Sequence, residues 1–231
     1  QRLSPEGVPL GAPVSIPTKR TVYDGDMVEA VWAEPFDAWV VARRVGAGSP
    51  DLYGMLISPS GDVLREELLD IGPRRTARIA VTGGGVAGVF LYSSDGRLRL
   101  SRMAAAPPAL LGAVAPAGSD FAVAARGEQF VLLQAREESG GSWAIYYSVV
   151  DVDGDPAGPE TKLIDNGGDL IPLAAVARED EIAIAYLDAP GGFAVESGSY
   201  RVRRFAPAGS FIADTLFAAS DPGMYRRYSE W

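Results

Sequence analysis

Short apolar runs rich in Val, Ile, Tyr, Phe and Trp alternate along the chain with clusters of Gly, Pro, Asp and Ser, and helical periodicity is nearly absent. That pattern predicts many short β-strands separated by turns, an all-β fold. The runs best suited to buried strands are Ala38 to Ala42, Val86 to Tyr92, Gln129 to Leu133 and Glu181 to Tyr186. With Val40, Val89, Leu132 and Ile184 as equivalent points, the spacings are 49, 43 and 52 residues, the period of a propeller blade. Each run leads through a polar loop to a further strand: Leu52 to Ile57, Leu98 to Met103, Trp143 to Val150 and Tyr200 to Phe205. Turns follow at Ser58 to Gly61, Asp151 to Gly154 and Ala206 to Gly209, with an altered version at Ala104 to Pro108. More polar outer strands come next, as in Asp62 to Leu69 and Glu160 to Ile164.

The segment Trp143-Ala-Ile-Tyr-Tyr-Ser-Val-Val-Asp-Val-Asp-Gly154 resembles the blade repeats of secreted bacterial β-propellers, and Asp51 to Gly61 is the next best match. The resemblance implies a β-propeller of about five four-stranded blades and fixes no substrate. Residues 27–70, 73–115, 119–165 and 169–218 are expected to be whole blades. Residues 1–26 carry the outer part of a shared blade, and 223–231 are a candidate closing strand that would hide the sheet edges of an open array.

With 231 residues the chain can bury a sizeable core without covalent staples. It has no His and no Cys, which removes the Ser-His-Asp and Cys-His nucleophile systems, thiol chemistry and most zinc, haem and iron–sulfur sites. The net charge of −9 argues against nucleic-acid binding, which requires a basic surface. The charge is uneven: residues 71–120 form a basic island containing Arg74, Arg75, Arg78, Arg97, Arg99 and Arg102, for which a solvated edge is the plain reading. The uncharged stretch from Met103 to Ser119 is interrupted by Pro107, Pro108 and Pro116, so no transmembrane segment is expected. The first residue is Gln rather than Met, which predicts a processed start and a periplasmic or secreted location.

Three motifs bear on chemistry. Asp151-Val-Asp-Gly-Asp155 has carboxylates at alternate positions, as hard-cation loops do, but it lacks the Gly and Glu that an EF-hand needs further on. A structural turn is preferred, and no metal or cofactor is expected. Ser93-Ser-Asp-Gly-Arg97 resembles the Asp-box hairpin of sialidases with its Gly displaced and its Trp missing, and reads better as a tight hairpin. Propeller glycosidases work with paired carboxylates and no His. Asp24, Asp26, Glu29, Asp120, Glu137 and Asp188 are candidates here, with nothing to select a pair.

In propellers, the loops joining second to third strands gather with the inter-blade loops on one face around the channel. Candidate ligand-binding residues on that face are Arg43, Arg44, Arg136, Glu137, Trp143 and Asp188, with Trp39 and Tyr92 nearby, a mixture suited to sugars. Arginine outnumbers lysine nineteen to two, and an Arg-bearing side at Arg97, Arg99 and Arg102 with Leu110 and Leu111 is the candidate partner surface. The resulting expectation is a non-enzymatic extracytoplasmic binding or scaffold module, an accessory subunit of a larger protein assembly. The alternatives are a lectin that binds glycans and a paired-carboxylate glycosidase.

Overall fold

The computed structural model describes residues 28–45, 51–70, 77–92, 97–103, 109–115, 120–165, 168–189 and 198–219. The terminal segments expected to share a blade, 1–26 and 223–231, lie outside them, as do Asp24, Asp26 and most of the Ser93–Arg97 motif. Among the described residues sixteen strands form four antiparallel sheets of four strands each, paired in chain order. The first blade comprises β1 (Val28–Ala33), a 3-10 turn at Glu34–Phe36, β2 (Ala38–Val45), β3 (Asp51–Ile57) and β4 (Val63–Asp70). The second holds β5 (Ala77–Val81), β6 (Ala87–Tyr92), β7 (Leu98–Met103) and β8 (Ala109–Ala115). The third holds β9 (Asp120–Arg126), β10 (Gln129–Glu137), β11 (Trp143–Val150) and β12 (Thr161–Asp165). The fourth holds β13 (Asp169–Ala177), β14 (Ile182–Ala189), β15 (Ser199–Phe205) and β16 (Phe211–Ala219). Among the described residues no helix is long and apolar enough to cross a membrane.

Position within a blade explains each strand's composition. The first strands β1, β5, β9 and β13 touch one another in succession, so they form a common inner wall. A second strand such as β10 has neighbouring blades on both faces, and Phe130 to Ala135 are all buried. A continuous apolar run is therefore required there, rather than alternation. At the outside, β4 alternates: Leu64, Glu66 and Leu68 are exposed, while Arg65 and Glu67 are half-buried and paired to each other.

Three apolar layers hold successive blades together. Val40, Ala42 and Leu52 pack against Ile79, Val89 and Met103 between the first and second. Phe90 and Leu100 meet Phe121, Phe130 and Leu132 between the second and third. Leu133, Ile145 and Tyr147 meet Ile184, Tyr186 and Phe205 between the third and fourth. Close approach depends on Gly88, where an added Cβ would lie 2.8 Å from Phe130 Cζ and 2.9 Å from a Leu100 methyl.

One turn recurs between third and fourth strands. At Ser58, Asp151 and Ala206 the N–H donates to the carbonyl four residues on, and the carbonyl accepts from the N–H of Gly61, Gly154 or Gly209. Those glycines have φ of 95°, 86° and 86°, the left-handed residue that closes a three-residue hairpin. In the acidic version Asp151 Oδ1 accepts from the N–H groups of Asp153 and Asp155, each at 2.9 Å. Asp153 in turn accepts from Arg102 of the second blade at 2.5 Å. The carboxylates thus serve the turn and a contact between blades, and no cluster suited to a metal ion is found among the described residues.

Candidate functional site

The inner strands line a cavity of about 410 Å3 that opens to solvent. β1 contributes Glu29, β2 contributes Ala42 and Arg44, and β5 contributes Ala77, Arg78 and Ile79. The described wall from β9 and β13 is apolar, made by Ala122, Val123 and Leu173 to Ala175. The site is thus a hollow with apolar side chains on the β9 and β13 side and three charged groups on the other.

Glu29 and Arg78 stand at the second position of β1 and β5, so the repeat itself brings them together across the first blade interface. Glu29 Oε1 accepts from the Ile79 N–H at 3.0 Å, and Oε2 lies 3.4 Å from Arg78 Nη1. Burial pushes the Glu29 carboxyl above its usual range, while the Ile79 N–H and the Arg78 charge oppose that rise. Both oxygens are therefore engaged in joining two blades.

Arg44 differs from Arg78. It follows Arg43 in an extended strand, so the two side chains leave opposite faces of the sheet. Ala42 pairs with Glu29, which places Arg44 one diagonal step along the Glu29 face. Its Nε is buried without a hydrogen-bond partner, and it forms no ion pair among the described residues. Arg43, 7% exposed, lies on the other face, and its Nη2 is also buried without a hydrogen-bond partner.

Of the six candidate ligand-binding residues read from the sequence, Arg44 is the one on the described cavity wall. Arg136, Glu137 and Trp143 come together where β10 meets β11, with Glu137 opposite Trp143. Arg136 binds Glu160 through two hydrogen bonds of 2.7 and 2.5 Å, donates to Gln134 at 2.8 Å and lies 4.9 Å from the Tyr146 ring centre. Trp143 packs on the apolar layer between the third and fourth blades. Asp188, at the equivalent end of β14, stands 3.7 Å from Arg201, which reaches Asp214 at 2.9 Å. Trp39 meets Trp32 edge to face at 5.4 Å.

On the candidate partner side, Arg97 is exposed, Arg99 is half-buried and Arg102 pairs with Asp153. Leu110 and Leu111 fall within β8, but their side chains lie outside the described residues. Sequence reasoning grouped Glu29 with five other carboxylates and left Arg78 in the basic island. The available signal was their separation of 49 residues, equal to the Val40 to Val89 repeat offset.

No family model matches the sequence, and no curated protein matches it. Among solved structures, the chain is similar to TolB from Acinetobacter baumannii with a TM-score of 0.51 and 15% identity, over 84% of this chain and 44% of that one. A chain from a structural study of two prolyl endopeptidases aligns with a TM-score of 0.42 and 12% identity, over 85% of this chain and 36% of that one. The chain spans less than half the length of either. At such identities the likeness is one of fold, and together with the four successive sheets around a central cavity it makes this chain a β-propeller.

Proposed function

We propose that the chain is a non-enzymatic binding or scaffold module of an extracytoplasmic protein assembly, with the central cavity as its binding site. The observation that carries this reading is the charge on the cavity wall. Hydrolysis of a glycoside by paired carboxylates needs two carboxyl groups facing one bond. The described wall offers one, Glu29, already held by the Ile79 N–H and Arg78, beside an unpaired guanidinium. A hollow that sets an apolar wall against a few fixed polar groups suits recognition.

Native isolation at low salt, followed by mass determination, tests the assembly role. The expected result is a complex of fixed stoichiometry. A free monomer that hydrolyses arabinan, xylan, fructan or sialoside substrates, and loses that activity on Glu29→Gln, would replace this reading with the glycosidase one.

A further inference from the structure

We propose that the central cavity receives a carboxylate carried on an apolar body, with Arg44 as the counter-charge; this rests on the cavity's being the binding site. Three observations meet here. Arg44 is the one charged group on the described wall without a hydrogen bond or ion pair among the described residues, and its Nε is buried. Arg44 is half-buried, so its buried Nε–H goes unsatisfied while the rest of the guanidinium stays within reach of solvent, and a donor set left open in this way is suited to an anion arriving from outside. Arg78 and Glu29 neutralise each other, which leaves the wall with a single positive charge to balance. A monoanion meets that charge, and the planar fork of Arg binds a carboxylate through two parallel hydrogen bonds. Across the hollow, Val123 and Leu173 present apolar side chains, and Leu173 is 39% exposed. A volume of about 410 Å3 admits a chain or ring of several carbons behind the headgroup.

Hexanoate is the probe, titrated into the whole protein and followed by NMR of the Val123 and Leu173 methyls and of the Arg44 Nε–H. Saturable shifts at all three are expected, and hexanol is expected to give none. Arg44→Gln should weaken hexanoate about ten-fold or more, the scale of one lost charge-assisted hydrogen bond. Leu173→Asp, which sets a like charge opposite, should weaken it comparably, whereas Leu64→Asp on the outer strand β4 should not. Arg44→Met should melt at a higher temperature than the parent, because it removes a buried N–H that has no partner. The proposal is overturned if hexanoate leaves the cavity signals unmoved, if it binds Arg44→Gln as well as the parent, or if Arg44→Met lowers the melting temperature.

A second arm uses a short apolar peptide with a free C-terminal carboxylate and the same peptide amidated. Tighter binding of the acid than of hexanoate, with none by the amide, identifies a polypeptide terminus as the source. Preference for hexanoate identifies a free acid. A chain isolated in a fixed complex whose cavity ignores every acid keeps the assembly role and loses this inference.

Discussion

Among the described residues Tyr186 is the largest side chain wholly removed from solvent, and its hydroxyl is buried with no hydrogen-bond partner. Burial pushes the phenol up to about 12, opposed by the Arg203 guanidinium stacked 5.7 Å from the ring centre. Tyr186→Phe removes an unsatisfied polar group and little else, so thermal unfolding should show a gain of about 1 kcal/mol. The sign with pH follows. A phenol raised in the folded state gives stability that is full below its ordinary value near 10 and is lost as pH climbs through about 12. That alkaline loss should be absent from Tyr186→Phe. Glu29 behaves alike at the acid end. Its raised carboxyl favours the folded state below the unfolded carboxylate value, and the benefit disappears as pH rises through the folded one. Melting temperatures measured between pH 4 and pH 7 should therefore fall less steeply with rising pH in Glu29→Gln than in the parent.

Elements owe their boundaries to a few residues, and the recurring three-residue turn makes the point. Gly154 at φ 86° costs nothing, but a side chain there adds about 1–2 kcal/mol of strain. Asp37 sits at φ 45° in the tight turn between β1 and β2, the one non-glycine at positive φ among the described residues. Gly154→Ala is accordingly expected to lower stability by about 1 kcal/mol or more, and Asp37→Gly to raise it by a few tenths, both read from denaturant midpoints. These turns were legible in the sequence, because Ser-Pro-Ser-Gly, Asp-Val-Asp-Gly and Ala-Pro-Ala-Gly carry glycine at the same place. The second strands were legible too, since a strand packed on both faces reads as a nearly unbroken apolar run, whereas third strands such as Leu98-Arg-Leu-Ser-Arg-Met103 alternate and were legible from the turn that follows them. The inner strands were harder. Asp120-Phe-Ala-Val-Ala-Ala-Arg126 is rich in alanine, which fits a crowded central wall but is a weak strand former, so its signal is faint.

At the scale of the molecule, stability resides between blades as much as within them. Phe90 and Phe130 meet edge to face at 5.2 Å across the second interface, both completely buried. Phe130→Ala should cost about 3–5 kcal/mol, and hydrogen exchange should speed up in β6 and β7 as well as in β10. A loss confined to the third blade would mean that the blades unfold independently. Repeat spacing made the succession of blades legible in advance, whereas the cavity was not. Glu29 finds Arg78 one repeat away, and Arg44 is distinguished from Arg43 by the face it occupies. Residue type alone carries neither fact. Composition could show only that arginine was abundant.

The outermost strand of the fourth blade raises a different matter. β16 exposes Phe211 at 61%, Ile212 at 46% and Leu216 at 56%, and its single charge, Asp214, is taken up by Arg201 and Arg203. β4 and β12 mark the same edge with Arg65, Glu66, Glu67 and Lys162. An edge rich in apolar residues and poor in free charge is a template for strand pairing between molecules. Concentrated samples should therefore aggregate through β16, and Leu216→Lys should raise the solubility limit while leaving the melting temperature within about 1 °C. In a crowded compartment, the same strand would call for a gatekeeper charge.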